Sequence, residues 1–202
     1  MAWFPIMIDL GGQPCLVAGG GATALRKAKA LVQAEARVTV IARTFAAGFD
    51  ALPVDLVRRA VRAEDVLGMA LVVDATGDAH AAEMLRQACR GAAIPFNCAS
   101  HAQAGDVAFP AVLRRGGLVA GISTSGSSPA AAAWVRDRLD RCIPENFEEI
   151  LAQMEMLRGQ AKSEWPRQEQ RARFLHGCLE QALKKGTPLS QEEIDDIRRT
   201  IP

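Results

Sequence analysis

The sequence lacks several features that particular classes of protein need. Tyrosine is absent and aromatic residues make up 5% of the 202 residues, so we expect no aromatic surface for stacking nucleic-acid bases. Its 24 basic and 23 acidic side chains give a formal net charge of +1, whereas nucleic-acid-binding proteins usually carry a clear basic surplus. The composition therefore predicts no nucleic-acid partner.

Long apolar runs and metal-ligand spacings are also missing. No apolar run approaches the roughly 20 residues that cross a bilayer, and the start MAWFPIMIDLGG has no basic region and reaches Asp9 early. The five cysteines are scattered, odd in number and without CxxC or Cys/His spacing, which favours reduced thiols over a metal site or disulfides. We expect a cytoplasmic protein with no membrane association and no metal site.

The first half of the chain alternates short apolar runs with helical stretches. This order is typical of a doubly wound parallel α/β sheet. Helices are predicted over residues 22–35, where apolar residues recur at helical spacing, and 78–90. Strands are predicted at PIMIDL (5–10), CLVA (15–18), VTVI (38–41), residues 56–59, LVVD (71–74) and IPFNC (94–98).

The second half changes in character. Two strands are predicted, at 107–113 and 118–122, with a hairpin turn over 114–117. Pro129 suits the first turn of a helix, and Ser190 with Glu193 forms a capping box that starts the last one. Helices are predicted from residue 129 to 141 and over 145–158, 167–184 and 190–199. The predicted domains are residues 1–113, a nucleotide-binding type; 114–144, a strand–helix region; and 145–202, all helical.

A glycine loop follows the predicted strand CLVA. The segment has the form Gly19-x-Gly21-x-x-Ala24 and lies between a buried strand and an amphipathic helix. Glycines there let the backbone turn sharply and approach a pyrophosphate, which the helix N-terminus attracts. The order strand–loop–helix favours dinucleotide binding. The alternative is a tight turn that holds no ligand.

The end of the second buried strand leaves the choice of dinucleotide open. An acidic residue there usually binds the adenosine ribose, but this strand ends VTVIARTF, with Arg43 in that region. Arg43 would suit the 2′-phosphate of NADP, or it is a solvated surface arginine. The sequence therefore predicts NAD or NADP without deciding between them.

Several motifs together resemble the siroheme synthase N-terminal domain family. They are FPIMIDLGGQPCLVAGGGATALRKAKAL, VTVIA, LVVDATGD, PFN and FPAVLRRGGLVAGISTSGSSPAAAAWVRDRLD, and they run from about Trp3 to Pro144. Members of this family are precorrin-2 dehydrogenases, and some are also sirohydrochlorin ferrochelatases. The resemblance implies a Rossmann-type NAD-binding domain, a dimerisation region over 114–144 and a small helical C-terminal domain. It also implies a homodimer that oxidises precorrin-2 with NAD⁺, with Fe²⁺ or Co²⁺ as the metal in any chelation.

The resemblance also implies site residues. The cofactor is expected at Gly19, Gly21, Ala22, Thr23, Ile41, Ala42, Arg43, Thr76, Gly77 and Asp78. The tetrapyrrole carries many carboxylates, so arginines should matter in binding it. The arginines at 114 and 115 either bind these carboxylates or lie at a solvated hairpin tip. The tetrapyrrole is expected at Asn97, Arg114, Arg115, Ser123, Thr124 and Ser125.

The sequence departs from the family after the fifth predicted strand. The family reads N-V-x-D, and its aspartate is the main catalytic acid or base; here the chain reads Asn97-Cys98-Ala99-Ser100. A serine hydroxyl is a poor base near neutral pH without an activating partner. Either cofactor positioning sustains dehydrogenation, or His101 or Asp106 substitutes, or catalysis has been lost.

We expect a precorrin-2 dehydrogenase whose ferrochelatase activity is weak or absent because Ser100 replaces the aspartate. The first alternative is a catalytically silent protein of the same fold that binds a tetrapyrrole or a nucleotide. A second alternative is an unrelated regulatory module that senses a nucleotide. The family-like segment after residue 107 argues against a generic sensor.

Overall fold

A computed structural model describes residues 3–100 and 104–201 of the chain. The chain divides into two compact units, Met1–Phe109 and Pro110–Pro202. The division into three domains remains a prediction.

The first unit alternates strands and helices, as predicted. A short 3₁₀ turn over Ala63–Val66, which was not predicted, precedes the fourth strand. The regular elements are β1 (Pro14–Ala18), α1 (Ala22–Val32), β2 (Arg37–Ala42), β3 (Asp55–Arg58), β4 (Leu71–Asp74), α2 (Ala79–Gly91) and β5 (Phe96–Cys98).

These strands form a five-stranded sheet in the order β3-β2-β1-β4-β5. Every neighbouring pair is parallel, and Ala18 at the end of β1 lies level with Ile41 of β2 and Asp74 of β4. The chain leaves β1 in the middle of the sheet and winds outward first to one side and then to the other. The carboxyl ends of all strands therefore meet at one edge, which is where open α/β sheets bind ligands.

Both faces of this sheet are covered. Val17, Val40 and Val73 pack with Leu31 of α1 on one face, and the other face packs against α2 through Leu85. Because both faces are buried, the strands are nearly continuous apolar runs rather than alternating ones. This pattern is what made β1, β2 and β4 predictable. The predicted doubly wound α/β fold is confirmed.

Two strand predictions in this unit are wrong in whole or in part. Residues 5–10 form no strand, and Phe4 and Ile6 are 82% and 65% exposed. An apolar run becomes a strand only when a neighbouring strand accepts its backbone hydrogen bonds, and this segment pairs with none in the sheet. The strand predicted at 107–113 begins only at Ala111, because the N–H groups of Asp106 and Val107 both donate to the carbonyl of Phe96.

The second unit begins with a two-stranded antiparallel hairpin. Arg115 pairs with Leu118, so the turn consists of Gly116 and Gly117. Gly116 has a φ of +53°, which a glycine adopts readily. Arg114 and Arg115 therefore lie on the first strand of the hairpin, β6 (Ala111–Arg115), rather than in the turn, which corrects the predicted hairpin. The elements are β6 (Ala111–Arg115), β7 (Leu118–Ile122), α3 (Pro129–Cys142), α4 (Phe147–Glu164), α5 (Gln168–Lys185) and α6 (Gln191–Arg199).

The last three helices share a core of their own. Ile150, Leu157, Phe174 and Ile194 are each at most 3% exposed and pack together. α4 runs on to Glu164, past the predicted end at residue 158, because its buried face continues beyond Gly159. The predicted helical C-terminal region is confirmed. Across the residues that the structure describes, no helix is long and apolar enough to span a membrane.

Candidate functional site

The glycine loop lies at the carboxyl edge of the sheet and packs closely on its neighbours. A Cβ atom on Gly19 would lie 2.4 Å from the carbonyl oxygen of Ala75, and one on Gly20 would lie 1.9 Å from that of Thr44. Gly19 also has a φ of +117°, which L side chains rarely adopt. These two glycines hold the loop between the ends of β4 and β2.

Gly21 has a different environment. It is the N-cap of α1, no side chain caps that helix, and a Cβ at Gly21 would meet no atom within 4 Å. The N–H groups that begin α1, at Ala22 and the half-buried Thr23, have no acceptor within the helix. Uncapped N–H groups and the helix dipole favour an anion. The loop therefore fits a dinucleotide pyrophosphate, as the spacing of Gly19 and Gly21 predicts.

The end of β2 flanks the loop on one side. Ile41 and Ala42 are 4% and 9% exposed, and the carbonyl of Ile41 accepts the N–H of Gly19 at 2.9 Å. Arg43, the next residue, is exposed. Ile41 and Ala42 therefore hold the loop, and Arg43 is the residue of this set whose side chain is accessible.

The end of β4 flanks the loop on the other side. The Asp78 carboxylate accepts the N–H groups of His80 at 2.8 Å and Ala81 at 3.2 Å and so caps α2. These backbone hydrogen bonds lower the pKa of Asp78, and the positive charge of Arg43 lowers it further. Gly77, with a φ of +72°, makes the turn that leads to this cap.

Thr76 connects this turn to a buried carboxyl group. Its hydroxyl accepts the Asp78 N–H at 3.2 Å and donates to Asp74 Oδ1 at 2.7 Å. The Thr76 N–H donates to the same oxygen at 3.0 Å. Asp74 is fully buried at the end of β4. Asp74 was predicted only as the last residue of a strand, although a charged residue in the apolar run LVVD was a visible signal.

The three candidate catalytic residues lie in different places. Ser100 is exposed just after β5, and its hydroxyl lies 3.3 Å from the Cys98 sulfur. The N–H group of Asp106 donates to the carbonyl of Phe96, which holds Asp106 beside the start of β5. The pKa of the Arg86 guanidinium is raised mainly by its hydrogen bonds to Glu83, and the charge of Asp106 raises it further. His101 lies outside the described residues. The structure thus places Ser100 and Asp106 near opposite ends of β5.

Asn97, a candidate for substrate binding, is 5% exposed within β5. Its side-chain amide donates to the carbonyl of Val107 at 2.7 Å, while Oδ1 has no hydrogen-bond partner among the described residues. The amide thus ties β5 to the segment that follows it in the chain.

The remaining substrate candidates belong to the second unit. Arg114 is exposed, whereas Arg115 donates to Asp140 of α3 at 2.8 Å, and this bond raises the pKa of the Arg115 guanidinium. The Thr124 hydroxyl donates to the Ser128 carbonyl and accepts the Ser128 N–H. Thr124 therefore shapes the turn before α3.

Ser123 and Ser125 belong to the same turn. The Ser123 hydroxyl accepts the Ser125 N–H at 3.1 Å, and both residues are exposed. Ser125 has a φ of +54°, an uncommon conformation for a residue with a side chain. Within the described ranges, no group of three or more His, Cys, Asp or Glu side chains is arranged to hold a metal ion.

A parallel sheet in this strand order, with a close-packed glycine loop at its carboxyl edge, defines a dinucleotide-binding protein. The family model described as putative NAD(P)-binding matches residues 6–111. The chain belongs to this putative NAD(P)-binding family, in agreement with the predicted nicotinamide cofactor.

Similar proteins extend the comparison beyond that segment. The siroheme synthase of Nitrosomonas eutropha is 30% identical over 185 residues, which are 89% of this chain and 39% of that protein. The siroheme synthase of Methylococcus capsulatus is 33% identical over 188 residues, again 89% and 39%. The chain thus spans about two fifths of the length of these relatives. The predicted resemblance to siroheme synthases is confirmed.

A solved structure shares the fold. The protein described as SirC, precorrin-2 dehydrogenase, superposes with a TM-score of 0.74 and covers 98% of each chain at 24% identity. The architecture predicted for the whole chain, an α/β domain followed by a helical region, is therefore that of a known protein.

Proposed function

We propose that this protein oxidises precorrin-2 to sirohydrochlorin with NAD⁺. The observation that carries the proposal is the similarity to siroheme synthases over 89% of the chain. The glycine loop supports it, because its geometry fits the pyrophosphate of a dinucleotide. The fold of a precorrin-2 dehydrogenase is compatible with the same activity.

In this proposal, different residues of the chain bind different parts of the cofactor. The backbone at Gly19 and Gly21 and the N–H groups of Ala22 and Thr23 bind the pyrophosphate. Arg43, with Ile41 and Ala42, borders the adenosine. Thr76, Gly77 and Asp78 border the nicotinamide, which supplies the hydride acceptor when bound.

We assign substrate binding to side chains that can bind the carboxylates of the tetrapyrrole. Arg114 is exposed and is the better placed of the two arginines, since Asp140 already engages Arg115. The turn of Ser123, Thr124 and Ser125 offers hydroxyl and N–H donors, and we place Asn97 near the tetrapyrrole as well. Charge-assisted bonds of this kind orient a polycarboxylate.

Chelation is weak or absent in this proposal. Inserting Fe²⁺ or Co²⁺ requires a group that takes up the protons of the pyrrole nitrogens, and a serine at position 100 does so poorly. We expect Ser100→Asp to raise metal insertion while the protein remains folded. Unchanged insertion in the folded variant would show that Ser100 is not what limits chelation.

The decisive experiment mixes the purified protein with precorrin-2 and either NAD⁺ or NADP⁺ and follows the tetrapyrrole absorbance. We expect oxidation that depends on NAD⁺, with a siroheme synthase as positive control and a reaction without cofactor as blank. No oxidation with either cofactor, beside an active control, would contradict the proposed dehydrogenase.

The same assay addresses cofactor choice. Arg43 is exposed after β2, so it is the residue able to meet a 2′-phosphate. We expect Arg43→Ala to lower kcat/KM for NADP⁺ about tenfold, since a charge-assisted hydrogen bond contributes about 1.5–3 kcal/mol. The value for NAD⁺ should change by less than about threefold.

A second candidate function is a silent protein that binds the tetrapyrrole or a nucleotide. The observation that favours it is Ser100, which leaves no carboxylate at the family's catalytic position. Calorimetric binding of precorrin-2 and NAD⁺ without turnover would support this candidate over the enzyme.

We also propose that the protein is a cytoplasmic homodimer that pairs through residues 114–144. Trp134 and Leu139 of α3 are 62% and 43% exposed, and apolar side chains of this size are often buried between subunits. Light scattering that gives the mass of a single chain would contradict the dimer.

A further inference from the structure

A row of hydrogen bonds connects buried Asp74 to exposed Ser100. Asp74 ends β4 and lies level with Cys98 on the neighbouring β5. The Cys98 sulfur lies 3.7 Å from Asp74 Oδ2 and 3.3 Å from the Ser100 hydroxyl oxygen, distances that sulfur hydrogen bonds allow. The three side chains therefore form one continuous path from the interior of the sheet to its surface.

The direction of these hydrogen bonds follows from the donors available. Asp74 Oδ1 accepts the N–H and the hydroxyl of Thr76, and Oδ2 accepts the thiol of Cys98. A thiol has a single proton. With that proton donated to Asp74, the Cys98 sulfur can accept from the Ser100 hydroxyl, so the three side chains offer a path for a proton from Ser100 to Asp74.

The position of Asp74 needs an explanation, because burying a carboxyl group costs free energy unless hydrogen bonds offset it. Among the described residues, Asp74 is the one fully buried acidic side chain. It lies beside the glycine loop, since Ala18 is its register partner on β1 and Ala75 packs against Gly19. A buried carboxyl group at this point of the sheet adjoins the proposed cofactor site.

We propose that Asp74 acts through Cys98 on Ser100, so that Ser100 takes up the single proton that precorrin-2 releases when it is oxidised. This inference rests on the proposed dehydrogenase function. Ser100 is the residue that touches the substrate, and Asp74 and Cys98 are positioning residues.

The proton transfer balances within the proposed reaction. Precorrin-2 loses one hydrogen as hydride to the nicotinamide of NAD⁺ and a second as a proton to the Ser100 oxygen. The Ser100 proton moves to the Cys98 sulfur, and the thiol proton moves to Asp74 Oδ2. The macrocycle gains one double bond and NAD⁺ is reduced. Asp74 later releases the proton to solvent along the same path.

A double-mutant cycle tests the inference, with kcat and KM measured for precorrin-2 oxidation at saturating NAD⁺. In the wild-type background we expect Asp74→Asn to lower kcat about 100-fold, the lower end of the range of general acid–base catalysis, and KM to change less than about twofold. In a Ser100→Asp background, the same change should lower kcat less than about twofold. Removing one of two neighbouring carboxylates also relieves their repulsion there.

Each outcome of the cycle has a distinct meaning. A merely structural Asp74 would lower kcat equally in both backgrounds, and that result would overturn the inference, as would an Asp74→Asn variant with full kcat. If the wild type is active and the losses are additive, this inference fails alone. If the wild type does not oxidise precorrin-2 beside an active control, the proposed function fails and this inference with it.

A second pair of variants guards against misfolding of Asp74→Asn. Cys98→Ala removes both sulfur hydrogen bonds and leaves those between Asp74 and Thr76 in place, so we expect a similar fall in kcat. Cys89→Ala is the matched control, because Cys89 is a residue of α2 that is also buried in the core and lies outside this path. A folded Cys98→Ala variant with the kcat of Cys89→Ala would contradict the proton path.

Discussion

Gly20 and Gly21 are adjacent residues with different structural roles. A Cβ atom at Gly20 would overlap the Thr44 carbonyl, whereas one at Gly21 would project into open space where the pyrophosphate is proposed to bind. Packing requires the first glycine, whereas the second is proposed to leave room for the ligand. Substitutions at the two positions should therefore separate stability from binding.

We expect Gly20→Ala to lower the free energy of unfolding by about 1–3 kcal/mol, as overpacked sites do. Gly21→Ala should change it by less than about 1 kcal/mol, because its φ of −85° suits alanine. The added methyl group should nevertheless weaken NADH binding about tenfold, equivalent to about 1.4 kcal/mol. Urea denaturation and NADH fluorescence titration measure the two effects. Wild-type NADH affinity in Gly21→Ala would argue against pyrophosphate binding here.

Asp65 should make the stability of the folded protein depend on pH. Its carboxylate accepts two hydrogen bonds from Arg59, at 2.7 and 2.6 Å, and one from the Arg62 N–H at 2.7 Å. The Arg59 bonds are the main reason that the pKa of Asp65 is below its usual value. A lowered pKa in the folded state stabilises the protein above the unfolded pKa, about 3.9 for aspartate, and is lost as pH falls further.

We therefore expect Asp65→Asn to lower the urea midpoint at pH 7, by an amount that shrinks steadily below about pH 4. Midpoints measured between pH 7 and pH 3 give the comparison with wild type. Glu64→Gln is a suitable control, since the side chains of Glu64 and its partner Arg62 are 62% and 64% exposed. Their ion pair is long, at 3.7 Å between Oε1 and Nη1, and should contribute little to stability. A difference for Asp65→Asn that stays constant down to pH 3 would contradict the proposed linkage.

Secondary structure was predictable where its signals are local. The capping box of Ser190 and Glu193 marks the start of α6 in the sequence, and both of its hydrogen bonds are present in the structure. Pro129 likewise begins α3. The segment 5–10 was misassigned because strand formation depends on a partner strand, which no local pattern reveals.

We expect Ser190→Ala to lower the free energy of unfolding by about 1 kcal/mol, because the Glu193 N–H loses its acceptor. Ser190→Thr keeps the hydroxyl oxygen and should stay within about 0.5 kcal/mol of wild type. Urea unfolding followed by circular dichroism compares the three proteins. If Ser190→Ala and Ser190→Thr were equally stable, the cap would contribute nothing measurable.

At the scale of the whole molecule, the two units have separate cores. The sheet of the first unit is covered by α1 and α2, whereas α4, α5 and α6 pack around Phe174. Damage to the helical core should therefore leave the glycine loop and its ligand intact.

We expect Phe174→Ala to destabilise the helical unit by about 3–5 kcal/mol, the usual cost of removing a buried phenylalanine. Phe174 is fully buried, and its ring centroid lies 4.8 Å from that of Trp165 with the two planes tilted by 43°. NADH affinity at temperatures where the variant remains folded should stay within about twofold of wild type. Thermal melts and NADH titration test both statements, and a matching loss of NADH affinity would show that the units do not behave separately.

The sequence by itself determined the helices, the buried strands β1, β2 and β4 and the glycine loop, because apolar period, caps and glycines act over a few residues. It also predicted that Ser100 occupies the position of the family's aspartate. Only the tertiary structure brought Asp74, Cys98 and Ser100 into one hydrogen-bonded row. Asp74 and Cys98 are 24 residues apart in the chain, and they meet because β4 and β5 are neighbours in a parallel sheet. The register between two strands is set by the packing of the whole unit, so no local pattern contained it.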